Sequence, residues 1–336
     1  MPMTACKAAA IFVVLLVTAV GAGDINHPTG TNGVLLIDKL GAHIRFLDPR
    51  TLTDTGQFAV ASNPHDFALS PDHSRAYVPI YGDGVYGNNP HPGHEIYVVD
   101  LVKHAVASII DVSPYLAPHA VQVDAAGVIY VACDQDRKLL VIEPRELKVT
   151  AAIDTEGTGH WMALLPNGRK MYVANKNDKP FVSVIDLQAR KVVGHIPMPN
   201  GTQGIAASPD GRRVVAIDYA EPKMFVIDTA SDRVIDSVML TENTRGYKPY
   251  FSPDGKTLVT MGTDPTINIF DASDLHREQA VLKVGRSPMG VAFSADGSTL
   301  LVANHGDGSV SVVDLPTKHL IRSFHAGTGI ETLTYY

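Results

Sequence analysis

Apolar residues in this chain fall into short runs separated by turn-forming clusters, with no helical periodicity. From Gln203 the order is Gly-Ile-Ala-Ala, then Ser208-Pro209-Asp210-Gly211, then Val214-Val215-Ala216-Ile217, a loop, and Met224-Phe225-Val226-Ile227 closed by Asp228. Short β-rich runs bounded by Ser, Pro, Asp and Gly predict strand, tight turn, strand, loop, strand. The unit recurs. Asp48, Asp100, Glu143, Asp186, Asp228, Asp271 and Asp314 close equivalent apolar runs, at steps of 52, 43, 43, 42, 43 and 43 residues. A fixed period of about 40–45 residues with four short strands per unit predicts an all-β fold, a β-propeller. Seven marks predict seven blades of four antiparallel strands.

The two ends of the chain fit that ring. Val34 to Asp48 matches Leu300 to Asp314, and Gln57 to Ala61 supplies an outer strand, but this unit has no inner strand before it. The stretch from Glu331 to Tyr336 has an inner-strand pattern with nothing after it. Pairing the two gives a 3+1 closure that leaves no open sheet edge.

Residues 1–23 lie outside the repeat. Lys7 precedes an apolar run from Ala8 to Val20, and Gly21-Ala22-Gly23 follow. That order predicts a secretory signal peptide, too short for a comfortable membrane span. The expected domains are therefore residues 1–23 as signal and 24–336 as one propeller, with no integral membrane span after cleavage. Loss of the signal leaves Cys133 as the remaining cysteine of two, which excludes an internal disulfide. Export without disulfides predicts a periplasmic or secreted protein. Against 28 Lys and Arg stand 35 Asp and Glu, an acidic balance that argues against a nucleic-acid partner. A monomer is expected.

The Tyr172-Val173-Ala174-Asn175 and Leu301-Val302-Ala303-Asn304 runs, with the Ser-Pro-Asp-Gly turns, resemble the YVTN-type seven-bladed propeller repeat family. The resemblance runs from about Val34 to Tyr336. It implies architecture far more than activity, since related propellers include sugar lactonases, amine-dehydrogenase heavy chains and the multi-histidine copper site of nitrous oxide reductase.

Candidate chemistry emerges from the repeat register. Counting back from each tight turn to the start of the inner strand gives His65, His119, His160, Gln203, Tyr247 and Met289, with Glu331 in the last unit. Three histidines in consecutive blades, beside a carboxylate, would line one arc of the channel mouth. The first full blade also carries about nine extra residues, which fall in the loop Tyr81 to His94 on the same face; insertions into a regular scaffold tend to be functional. His91 and His94 lie in that loop, and His305 occupies the matching loop of another blade.

Imidazole and carboxylate together suit a divalent transition metal such as zinc or copper, with His65, His119, His160 and Glu331 as ligands and His91 and His94 as further donors. The same groups suit acid–base chemistry. Strand starts also tolerate polar residues that simply bond to loops. Trp161, Arg245 and Tyr247 would add an aromatic and cationic wall, which suits a small anionic or carbonyl-bearing ligand; Trp161 reads equally as blade packing.

Three readings of function follow. One is an exported propeller that binds a small ligand, a metal ion or both through the histidine cluster, with His65, Trp161, Arg245, Tyr247, His305 and Glu331 as ligand contacts. The second is a lactonase-like hydrolase or lyase in which His119 or His160 moves a proton and Arg245 stabilises negative charge. The third is a scaffold that presents its loops to a protein partner. No Gly-x-Ser-x-Gly elbow, P-loop or Cys-x-x-Cys-His run occurs.

Overall fold

Each apolar run becomes a strand, and each group of four strands becomes a blade. A computed structural model describes residues 32–86, 88–176, 178–243 and 245–336; the signal-peptide expectation falls outside them. The described residues form seven antiparallel sheets. We number the blades 1 to 7 along the chain and give the closing blade the last number. In blade 4, for example, the strands Thr202–Ala207, Arg213–Asp218, Lys223–Asp228 and Arg233–Met239 pair in sequence order.

The outer strand of a blade alternates exposed and half-buried residues, whereas the middle two are buried on both faces. This is why the middle runs are continuously apolar and β-branched. Six clusters of buried side chains fill the spaces between blades: Leu35 and Ile37 of blade 7 pack with Val78 and Ile80 of blade 1, and so on round to Leu301 and Val310 of blade 6 against Val34 and Leu36. The ring is therefore closed by apolar packing as well as by hydrogen bonds.

The repeated serines and aspartates have a local explanation. In the inner turns, Ser208 Oγ donates to Asp210 at 2.6 Å and accepts from Arg213 N at 3.0 Å; Ser252 and Ser294 do the same with Asp254 and Asp296. The closing aspartates cap the next turn. Asp48 accepts from the amides of Arg50 and Thr51, Asp100 from Val102 and Lys103, and Asp228 from Ser231. A short acceptor that bonds to amides two or three residues on fixes such turns, so the marks that set the sequence period are turn caps.

Closure is of the 3+1 kind. The last strand, Ile330–Tyr335, pairs with the first, Val34–Asp38, which continues through His43–Leu47 to Asp54–Ala59. Two clasps hold it. Asp38 accepts from the amides of Thr328 and Gly329 and from Arg45 Nε, at 3.0, 2.9 and 3.0 Å. On the other face, Tyr336 OH meets His104 Nε2 at 2.8 Å, and the His104 ring stacks on Phe46 at 4.0 Å.

Blade 1 departs from the others. Its inner strand is broken into Asn63–Pro64 and Ala68–Leu69, and its two middle strands lengthen to Arg75–Gly82 and Pro92–Asp100. The extra residues predicted as a loop from Tyr81 to His94 thus divide between a longer ladder and a tip described at residues 83–86 and 88–91. A hairpin extended in this way stands above the mouth of the channel.

Candidate functional site

The residues that the register singled out share one backbone feature. In blade 2 Pro118 pairs with Cys133 and Ala120 with Ala132, so His119 has no partner of its own. The same slip occurs at Gln203 and Gly204 in blade 4, Tyr247 in blade 5, Met289 in blade 6 and Glu331 in blade 7. In blade 3 the amide of His160 donates to Ala174 O while the amide of Ala174 donates to Trp161 O, so two residues again face one. In blade 1 the strand breaks at His65. Every inner strand therefore carries a β-bulge or break near its start, and a bulge re-aims a side chain. The sequence period located the positions; the bulge explains why polar residues are accommodated there.

At these bulges blades 1 to 3 bring three imidazoles together. The ring centroids of His65 and His119 are 3.8 Å apart, and those of His119 and His160 3.9 Å. All three side chains are buried. Trp161 packs beside them, at 5.6 Å from His160 and 5.0 Å from His119. Its indole also lines a central cavity of about 50 Å³ with Asp66, Gln122, Lys248 and Thr332, enough for a few waters. Trp161 is thus both blade packing, within the large cluster of blades 2 to 4, and part of the site.

Glu331 faces this arc from blade 7. His65 Nε2 lies 3.5 Å from one carboxylate oxygen and His305 Nδ1 3.0 Å from the other, while Lys39 Nζ is 3.7 Å away. Burial would raise the Glu331 carboxyl, but Lys39, His305 and Lys248 outweigh it and hold the group below its usual range. It is a buried carboxylate with compensation.

Cations surround the imidazoles. Lys248 Nζ sits 3.3 Å from the Trp161 ring centroid, Lys176 Nζ lies 3.1 Å from His160 Nε2, and Arg245 stacks on Tyr219 at 4.1 Å. Burial, with the like charges of Lys39 and Lys176, drives the three histidines well below 6.5, so all are neutral. Burial also brings Lys248 down to about 8 and Lys176 to about 7. His119 Nδ1 is 2.9 Å from His160 O and donates to it, which leaves its Nε2 without a proton. Lys176 donates to His160 Nε2, which assigns the ring proton of His160 to Nδ1.

Several polar atoms here are buried without a partner: His65 Nδ1, His160 Nδ1, Trp161 Nε1 and Gln203 Oε1. Tyr247, hydrogen-bonded to the Gln203 side chain and raised above the usual phenol range by burial, completes the wall.

Two tyrosines of the blade 1 hairpin, to which the repeat register assigns no role, cover the cluster. Tyr81 packs edge-on to His65 and His119 at 5.5 and 5.4 Å and donates to Asp134 Oδ2 at 3.0 Å. Tyr86 lies 5.6 Å from His160 and 3.9 Å from Lys176 Nζ. Both line an outer vestibule of about 390 Å³ with Asn88, Asn89, Asp134, Gln135, Arg137 and Thr158. Burial raises Asp134 to about 6. The signal was present in the sequence: an inserted loop with two aromatics at a mouth whose other residues are histidines.

The hairpin's own histidines are elsewhere. His91 is 81% exposed and pairs with Asp83, and His94 is 46% exposed and pairs with Asp111. Exposed hairpin edges hold them, so neither joins the cluster. His65, His119, His160, Trp161, His305 and Glu331 do meet, and Arg245 and Tyr247 stand on the neighbouring wall. As a metal centre the expected set is incomplete: among the described residues no group of three or more His, Cys, Asp or Glu side chains is placed to hold an ion. The imidazoles meet tilted and edge to face, and the nitrogens of His119 and His160 that make hydrogen bonds point to protein groups.

Comparison with known proteins supports a β-propeller family. Residues 128–250 match the model of the YNCE-like beta-propeller family, a coarser placement than the YVTN-type repeat. No curated protein sequence matches the chain. Among solved structures, Kuenenia stuttgartiensis hydrazine synthase superposes with a TM-score of 0.69 at 19% identity, covering 80% of this chain and 88% of that one. A dihydro-heme d1 dehydrogenase, NirN, in complex with DHE, gives a TM-score of 0.65 at 15% identity, covering 90% of this chain and 75% of that one. At such identities the likeness is one of fold. Among the described residues no helix is long and apolar enough to cross a membrane.

Proposed function

We propose that this protein is an exported propeller that binds a small organic anion at the mouth of its channel, between the imidazoles of His65, His119 and His160 and the cations Lys39, Lys176, Lys248 and Arg245. The observation that carries this reading is the set of buried, unpartnered polar atoms beneath that cationic rim. A buried polar atom without a partner costs about 1–3 kcal/mol, and several in one place are accounted for by a guest that pairs with them. Neutral imidazoles contribute donors and acceptors but no charge, so attraction of an anion falls to the lysines and Arg245. Neither Lys176 nor Arg245 has a carboxylate ion-pair partner among the described residues; each lies over an aromatic ring instead.

The test is thermal and chemical unfolding of the protein with a panel of short-chain carboxylic, hydroxy and oxo acids. An acid that binds, present at 100 times its Kd, raises stability by about 2.7 kcal/mol. His160→Gln and Arg245→Gln should each weaken that shift while the protein stays folded. A panel in which no acid shifts the midpoint, or shifts that persist in both variants, would end this reading.

A hydrolase or lyase at the same site is favoured by one observation, the bond from His119 Nδ1 to His160 O, which presents Nε2 as a proton acceptor. Its depressed basicity makes His119 a weak base. Binding is therefore the better-supported function. Turnover of lactones lost in His119→Gln would reverse the order.

A further inference from the structure

One residue at this site has the surroundings of a nucleophile. Lys176 follows the Tyr-Val-Ala-Asn run of blade 3, just beyond the strand Lys170–Ala174. Its backbone takes φ 49°, a left-handed turn conformation that thirteen other non-glycine residues share among the described residues. The amide of Thr202 in blade 4 donates to its carbonyl at 2.8 Å, which fixes the main chain at that angle. The side chain then runs between two rings, with Nζ 3.9 Å from the Tyr86 centroid and 3.1 Å from His160 Nε2. Its hydrogen-bond partner is thus a neutral imidazole whose Nε2 lone pair faces Nζ, an acceptor within reach of the amine's proton. Lys39 and Arg245 both act on it as like charges.

On the reading of the mouth as an anion site, we infer that Lys176 captures a carbonyl compound bearing a carboxylate, a 2-oxo acid or aldehyde acid, as an imine. The carboxylate lies toward Arg245 and Lys39, and the carbonyl carbon toward Nζ. The neutral amine adds to the carbonyl carbon. One N–H proton passes by way of His160 Nε2 to the oxygen, giving a carbinolamine. Loss of the hydroxyl with the second N–H proton forms the C=N bond and one water, so the exchange of carbonyl oxygen for nitrogen balances without oxidant or reductant. The shift of the Lys176 ammonium toward neutrality, caused by burial, puts amine and ammonium in comparable amounts near pH 7.

The experiment is reductive trapping. The intact protein is incubated with glyoxylate or pyruvate and cyanoborohydride, and the adducts are mapped by peptide mass spectrometry. A dominant adduct on Lys176, absent in Lys176→Arg and Lys176→Gln and formed at least tenfold more slowly in His160→Gln, is the expected result. Binding of the acid is measured in parallel without reductant, by the midpoint shift. Binding with no adduct, or with label spread over Lys39, Lys248 and surface lysines without excess at Lys176, overturns the imine. Absence of binding overturns the anion-site reading itself, and the imine with it.

Discussion

Acidification should unfold this protein through its three central histidines, by an amount that can be worked from their surroundings. His65, His119 and His160 are enclosed among Lys39, Lys176 and Lys248 and remain neutral in the folded chain. In the unfolded chain each regains its ordinary value near 6.5. A depressed imidazole contributes stability above the unfolded value and loses it as pH falls below, because only the unfolded state takes up the proton. Between pH 7 and 5.5 each histidine accounts for about 1.3 kcal/mol, roughly 4 for the three together. Asp134 opposes them. Raised to about 6 by burial, it takes a proton in the folded state first, which returns roughly 0.8 kcal/mol over that interval. Asp66, also raised by burial, acts in the same direction. The expected net loss is about 3 kcal/mol, read from urea unfolding midpoints at constant ionic strength. In His119→Gln, whose amide can still donate to His160 O, the loss should shrink by about 1.3 kcal/mol. Stability flat to within about 1 kcal/mol across this window, or imidazole NMR signals of these residues that titrate near 6.5, would refute the reasoning.

Four further outcomes follow from the same contacts. Deleting residues 330–336 removes the strand that closes blade 7 and its clasp at His104, and should abolish cooperative unfolding as seen by calorimetry. Asp38→Ala leaves four donors, the amides of Gly41, Thr328 and Gly329 and Arg45 Nε, without their acceptor and should cost about 3 kcal/mol in a denaturant titration. Gly204→Ala places a Cβ 2.4 Å from Tyr247 O of the next blade, so a loss of about 2 kcal/mol or more is expected from overpacking; an unchanged midpoint would show that the inner strands can separate. Tyr86→Ala uncovers His160 and Lys176, and should speed ligand entry in stopped-flow binding with little change in the unfolding midpoint.

The architecture was legible because turn chemistry repeats at a fixed interval: each closing aspartate caps a turn, and each Ser-Pro-Asp-Gly run builds one, whatever the neighbouring blades do. The positions of His65, His119, His160 and Glu331 followed from that ruler, since equivalent positions in a ring face one axis. What the ruler could not supply was the path of irregular backbone. Whether His91 and His94 turn toward the cluster depends on the twist of a lengthened hairpin, and their local ion pairs with Asp83 and Asp111 hold them outside. Tyr81 and Tyr86 arrive over the cluster by the same hairpin. Lys39 and Lys176 were equally hidden, because a long side chain at a loop can enter the channel or leave it, and only the packed structure decides.

The ring of bulges has a consequence for how such a protein changes over time. Because the extra residue at each inner-strand start lies outside the ladder, its side chain can be exchanged without loss of a strand-pairing hydrogen bond. The seven positions behave as interchangeable sockets around a common axis, occupied here by three histidines, glutamine, tyrosine, methionine and glutamate. A frame of this kind can acquire one chemistry and discard another by single substitutions, while the blades that carry the sockets remain as they were.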